Sequence, residues 1–107
     1  MRDYDNMPVL DWNELNVPKK ASAQILHQEP VILQMQDNFN SSVDADSFGC
    51  QIQSDTGILY NCDGHKILQQ LSTQNKLPGL NAVADACLES SSRVDIDSNH
   101  NRIIVHD

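Results

Sequence analysis

Residues 50–62 read Cys50-Gln51-Ile52-Gln53-Ser54-Asp55-Thr56-Gly57-Ile58-Leu59-Tyr60-Asn61-Cys62, two alternating segments around a polar break. A loop Asp55-Thr56-Gly57, with glycine at the position that turns left-handed, is a favoured hairpin connection. That loop sets Ser54 opposite Ile58, Ile52 opposite Tyr60 and Cys50 opposite Cys62. Cys50, Ile52, Ile58, Tyr60 and Cys62 then share one face, and Gln51, Gln53 and Asn61 the other. Register and polarity agree, so a hairpin with its first face toward the core is predicted.

Toward the C-terminus, Asp63-Gly64 turns the chain into a helix over 64–75, with Ile67, Leu68 and Leu71 as its apolar face and Leu77-Pro78-Gly79 as its break. Leu80, Val83, Ala84, Cys87 and Leu88 then recur at i, i+3, i+4, i+7 and i+8, while Asn81, Asp85 and Glu89 take the other side. This spacing predicts an amphipathic helix with a buried stripe that includes Leu88. After Ser90-Ser91-Ser92 the chain closes in a second hairpin turning at Asn99-His100. It pairs Ile96 with Ile103 and Val94 with Val105 on one face and sets Asp97 beside Arg102 on the other.

Toward the N-terminus, Val31, Leu33 and Met35 alternate with Ile32, Gln34 and Gln36, the period of a half-buried strand. Pro18 heads a helix to about Gln28, with Ala21, Ile25 and Gln28 on one face, and Pro30 ends it. Asp11-Trp12-Asn13-Glu14 has the spacing of a capping box, which predicts a short helix through Leu15 anchored by Trp12. Residues 1–10 are polar, include Pro8, and are expected to form a mobile arm. The order α-α-β-β-β-α-α-β-β predicts an α+β fold, an antiparallel sheet of about five strands with helices on one face. A length of 107 residues fits a single domain over 1–107.

Composition narrows the partners. Twelve aspartates and three glutamates face only seven Lys and Arg, for a formal charge of −8. Binding to nucleic acid or to an anionic membrane relies on basic side chains, so the balance argues against both and favours a basic protein partner. No apolar run approaches the ~18–20 residues of a membrane span, and the first residues contain no apolar signal segment. With an odd number of cysteines, Cys50, Cys62 and Cys87, this predicts reduced thiols and a cytoplasmic protein.

Motifs for chemistry are sparse. Cys62-x-x-His65 opens a helix, where a thiol pKa falls and an imidazole acts as base, but no orienting third residue or oxyanion loop accompanies it. Cys50 and Cys62 with His65 supply three zinc donors without the paired short spacings of a structural site. Asp95-x-Asp97-x-Asn99-x-Asn101 opens like a calcium loop, yet His100 stands at the turn glycine and His106 at the bidentate glutamate, so a hairpin turn explains it better. The four glycines are scattered singly, and no phosphate loop is formed.

The expectation is therefore a small non-enzymatic protein, without cofactor or metal, that binds and inhibits a basic protein. Immunity proteins and phage-encoded inhibitors of nucleic-acid-processing proteins share this size and charge, although the likeness is not one of sequence. The long polar connection from Asp37 to Ser47 carries the candidate contact residues Asp37, Asp44 and Asp46, with Phe39 as apolar anchor. A thiol or zinc protein centred on Cys50, Cys62 and His65, and a structural or adaptor subunit, are the alternatives. Should the contact prove apolar, Trp12, Leu59 and Ile104 are the side chains that these strand and helix assignments leave partly outside the core.

Overall fold

The computed structural model of the chain describes residues 7–36, 46–53, 55–75 and 77–106. Its elements run β1 (Val9–Asp11), α1 (Val17–Leu26), β2 (Val31–Gln34), β3 (Ile52–Gln53), β4 (Ile58–Asp63), α2 (Gly64–Asn75), α3 (Leu80–Ser90), β5 (Arg93–Asp97) and β6 (Arg102–His106). They form a six-stranded sheet in the order β1-β2-β6-β5-β4-β3. The β1–β2 pair is parallel and every other pair antiparallel. The sheet is thus mixed, where the sequence reading made it antiparallel throughout.

The difference originates at Asp11. In place of the expected capped helix, Asp11 Oδ1 accepts the Asn13 amide at 2.9 Å and its carbonyl accepts the Glu14 amide at 2.8 Å, which closes a turn. The residues before it extend as β1, with Leu10 buried beside Leu33, and Trp12 donates its amide to Gln34 O at 3.2 Å. Residues 9 and 10 therefore belong to the sheet and not to an arm. A parallel neighbour needs a crossover, and α1 supplies it.

The helices share one apolar core with alternate strand residues. Ala21, Ile25, Ile67, Leu68, Val83 and Cys87 cluster with Val31, Leu33, Val94, Ile96, Ile103 and Val105. Each large aliphatic buried there contributes about 1.5–3 kcal/mol. Gly79, at φ +80, lets the start of α3 meet the start of α1: a Cβ there would lie 2.5 Å from the Pro18 ring. Gln28 lies beyond the end of α1, exposed and at φ 61, so the buried face of that helix is Val17, Ala21 and Ile25. In β2 both faces are buried, because Ile32 pairs with Ile104 in β6 on the side away from the helices.

Both hairpins keep their expected register. Ile52 pairs with Tyr60, Gly57 takes φ +86, and in the second hairpin Val94, Ile96 and Asp97 pair with Val105, Ile103 and Arg102. The facing of the first hairpin is different. Between Leu59 and Cys62 the β4–β5 register shifts, with Asn61 at φ 54, so Leu59 and Cys62 both enter the core while Ile52 is exposed and Tyr60 only half-buried. An extra residue in the left-handed region is the geometry of a β-bulge, and Asn tolerates it better than most residues. Trp12, Leu59 and Ile104 are all buried, where they were expected partly outside the core.

The predicted helices over 64–75 and from Leu80 both form. Leu88 departs from the buried stripe: it is 59 % exposed, and Ala86 takes the buried place in that turn.

Candidate functional site

Of the expected contact residues, Asp37, Phe39 and Asp44 lie outside the described residues. Asp46 is exposed in the turn before Phe48, whose ring is buried in the core. The Phe48 carbonyl accepts the Asp63 amide at 2.8 Å, and the Gln51 amide donates to Tyr60 O at 3.1 Å. The end of the polar connection is thereby fixed to the edge of the sheet.

The second candidate group resolves into two parts. Cys50 and Cys62 are joined as a disulfide, so the expectation of reduced thiols does not hold for this pair. The hairpin register places them opposite each other, and a bonded sulfur offers neither a nucleophilic thiolate nor a metal ligand. His65 donates from Nδ1 to the Ala84 carbonyl at 3.2 Å, a contact between α2 and α3. Cys87 remains free and buried, and burial together with the nearby Asp63 carboxylate pushes its thiol up to about 12. Among the described residues no group of three or more His, Cys, Asp and Glu is placed to hold a metal ion.

The sequence reading missed a polar cluster on the sheet face away from the helices. Asp95 is 0 % exposed, and its Oδ1 accepts the His106 Nε2–H at 2.9 Å and the Asn61 amide at 3.1 Å. One carboxylate thus ties the β4 bulge to β5 and β6. Asp97, 2 % exposed, accepts from His100 Nδ1 at 2.8 Å, the His100 amide at 3.2 Å and Arg102 Nε at 3.1 Å. Burial alone pushes this carboxyl up, but the His100 and Arg102 donors outweigh it and hold Asp97 below the usual carboxylate range. Arg93 Nη2 donates to Gly49 O at 2.7 Å and to the Asn61 carbonyl. An aspartate holding an imidazole recurs in general-base catalysis. Here the Asn61 amide shares the same oxygen, and the pair braces three strands.

The signal for this cluster was partly present, since Asp97 and Arg102 were expected to be neighbours. The rest depends on Asp95 and His106 lying diagonally across β5 and β6, and on that face being buried, which alternation alone does not report.

A second feature lies at the end of α3. A cleft of about 280 Å³ is lined by Asp63, Cys87, Leu88, Ser91, Ser92 and Arg93. It is smaller than the usual range for small-molecule sites, roughly 300–1,000 Å³. Asp85 and Glu89 stand exposed on the same helix, three residues before Leu88 and one after it.

Comparison of the chain with protein-family models, with curated proteins and with solved structures finds no match. No helix among the described residues is long and apolar enough to cross a membrane.

Proposed function

We propose that the protein is a non-enzymatic acidic binding protein that captures a basic protein and blocks it, in the manner of an immunity protein or a phage-encoded inhibitor of nucleic-acid machinery. The observation that carries this reading is the balance of charge at the surface. Among the described residues Glu14, Glu29, Asp46, Asp55, Asp85 and Glu89 are exposed, against Lys19, Lys20 and Lys66. Arg102 is half-buried against the Asp97 carboxylate, which offsets its charge, and half-buried Arg93 leaves the exposed balance acidic. The acidic excess is left facing solvent, where it steers a cationic partner and fixes its orientation.

The test is calorimetric titration of the protein with a synthetic peptide of alternating Lys and Leu, and with its Glu-Leu counterpart. The reading expects the Lys peptide alone to bind, with affinity falling as salt rises. Equal binding of both peptides, or none of the Lys peptide, contradicts it.

A cytoplasmic place of action belongs to the same reading, and the Cys50–Cys62 disulfide weighs against it, because such compartments keep thiols reduced. Alkylation in denaturant at the moment of cell lysis decides the point, since buried Cys87 reacts only once the chain unfolds. Three modified cysteines per chain support a reducing compartment, and one excludes it.

A further inference from the structure

We propose that the basic partner docks on the exposed side of α3 and the cleft at its end, laying the aliphatic stem of a Lys or Arg over Leu88. This rests on the acidic-binder reading and gives it a location. Leu88 is 59 % exposed in a turn whose neighbours Ala86 and Cys87 are buried, so the fold leaves a large apolar side chain in water. Exposed Asp85 lies one turn before Leu88, at i−3, and exposed Glu89 one turn after Asp85, at i+4, so Asp85 neighbours both on the surface of the helix. The sequence of α3, Leu-Asn-Ala-Val-Ala-Asp-Ala-Cys-Leu-Glu-Ser, contains no basic residue.

The occupant follows from these features. Lys and Arg combine an apolar stem with a charged head and cover apolar surface while the head stays solvated or paired. On α3 the stem finds Leu88 and the head finds Asp85 or Glu89. The cleft beside Leu88 extends the surface, with Asp63 and the Ser91 and Ser92 hydroxyls on its wall. Arg93, the cation of that wall, has its Nη2 committed to the Gly49 and Asn61 carbonyls. A neutral apolar partner would leave Asp85 and Glu89 unpaired at the rim, and an acidic one would be repelled.

The experiment follows backbone amide shifts of isotopically labelled full-length protein during titration with the Lys-Leu peptide and with a Lys-Ser peptide of equal charge. The proposal expects shifts at Asp85, Leu88 and Glu89 and around the cleft, and about tenfold tighter binding of the Lys-Leu peptide. Leu88→Ala should remove that preference, and Asp85→Asn with Glu89→Gln should weaken both peptides. All three positions are exposed, so the variants keep the fold, which their unchanged amide spectra elsewhere verify. Shifts confined to other surfaces, or a Leu88→Ala variant with unaltered preference, overturn the docking site while leaving the acidic-binder reading intact. Failure of both peptides to bind sinks that reading itself. Shifts at α3 that depend on protein concentration without peptide assign the face to a second copy of the chain and overturn the proposal.

Discussion

Leu59 and Cys62 both face the helices although they stand three residues apart in one strand, because the chain bulges at Asn61 between them. In a regular strand residues at odd spacing point to opposite sides. The bulge restores Cys62 to the core after Leu59 and presents the Asn61 amide to Asp95.

Replacing Asn61 should show how much this costs. Asn61→Gly should keep stability within about 0.5 kcal/mol, whereas Asn61→Val, whose branched side chain resists a positive φ, should destabilise by roughly 1–3 kcal/mol. Urea denaturation of the two variants provides the comparison. Equal stabilities would mean that the left-handed conformation at this position is dispensable.

The bulge also marks where the sequence ceased to be legible. Both hairpin registers follow from loop chemistry and alternation around Gly57 and between Asp97 and Arg102, because turn geometry and side-chain period act locally. The long apolar stripes of α2 and α3 are legible for the same reason. What failed depended on neighbours remote in sequence: Asp11 reads as a cap until Leu33 offers Leu10 a partner strand. Leu88 fits the stripe of α3, yet it falls at the margin of the buried arc. The candidate sites were less legible still, since the Asp95–His106 pair forms only when a diagonal between two strands is buried.

Truncations of α2 and α3 should separate core from surface. Leu68, wholly buried, should lose about 2–5 kcal/mol as Leu68→Ala. Leu88→Ala should lose less than about 0.5 kcal/mol. Thermal or urea unfolding distinguishes them, and a large loss at Leu88 would place it back in the core.

The disulfide should matter to stability as a constraint on the unfolded chain. It closes a sequence separation of 12 residues, for which the chain-entropy account gives about 3 kcal/mol. Cys50→Ser should lower the urea midpoint accordingly. Alkylation of unreduced protein should modify nothing in the folded state and Cys87 alone after unfolding; two further modified cysteines would show that the bond is absent.

Asp97 predicts a particular acid response. Its carboxyl lies below the usual range when folded, so its contribution is fully present above the unfolded value of about 3.9 and disappears as pH falls through the lower folded value. Urea midpoints measured from about pH 6 to about pH 2 should therefore fall less steeply in Asp97→Asn than in the native protein. Parallel profiles would show that the His100 and Arg102 donors do not favour the charged carboxylate.

The most direct measurement of the central claim is the association rate of a fluorescent Lys-Leu peptide, followed by stopped flow from about 0.01 M to about 1 M salt. Over that range the Debye length shrinks from about 30 Å to about 3 Å. If exposed carboxylates capture a basic partner, the rate should fall at least about tenfold, and changing Asp46, Asp85 and Glu89 to their amides should slow it at low salt and flatten its slope. A rate that ignores salt, or is the same for the triple variant, would contradict the account.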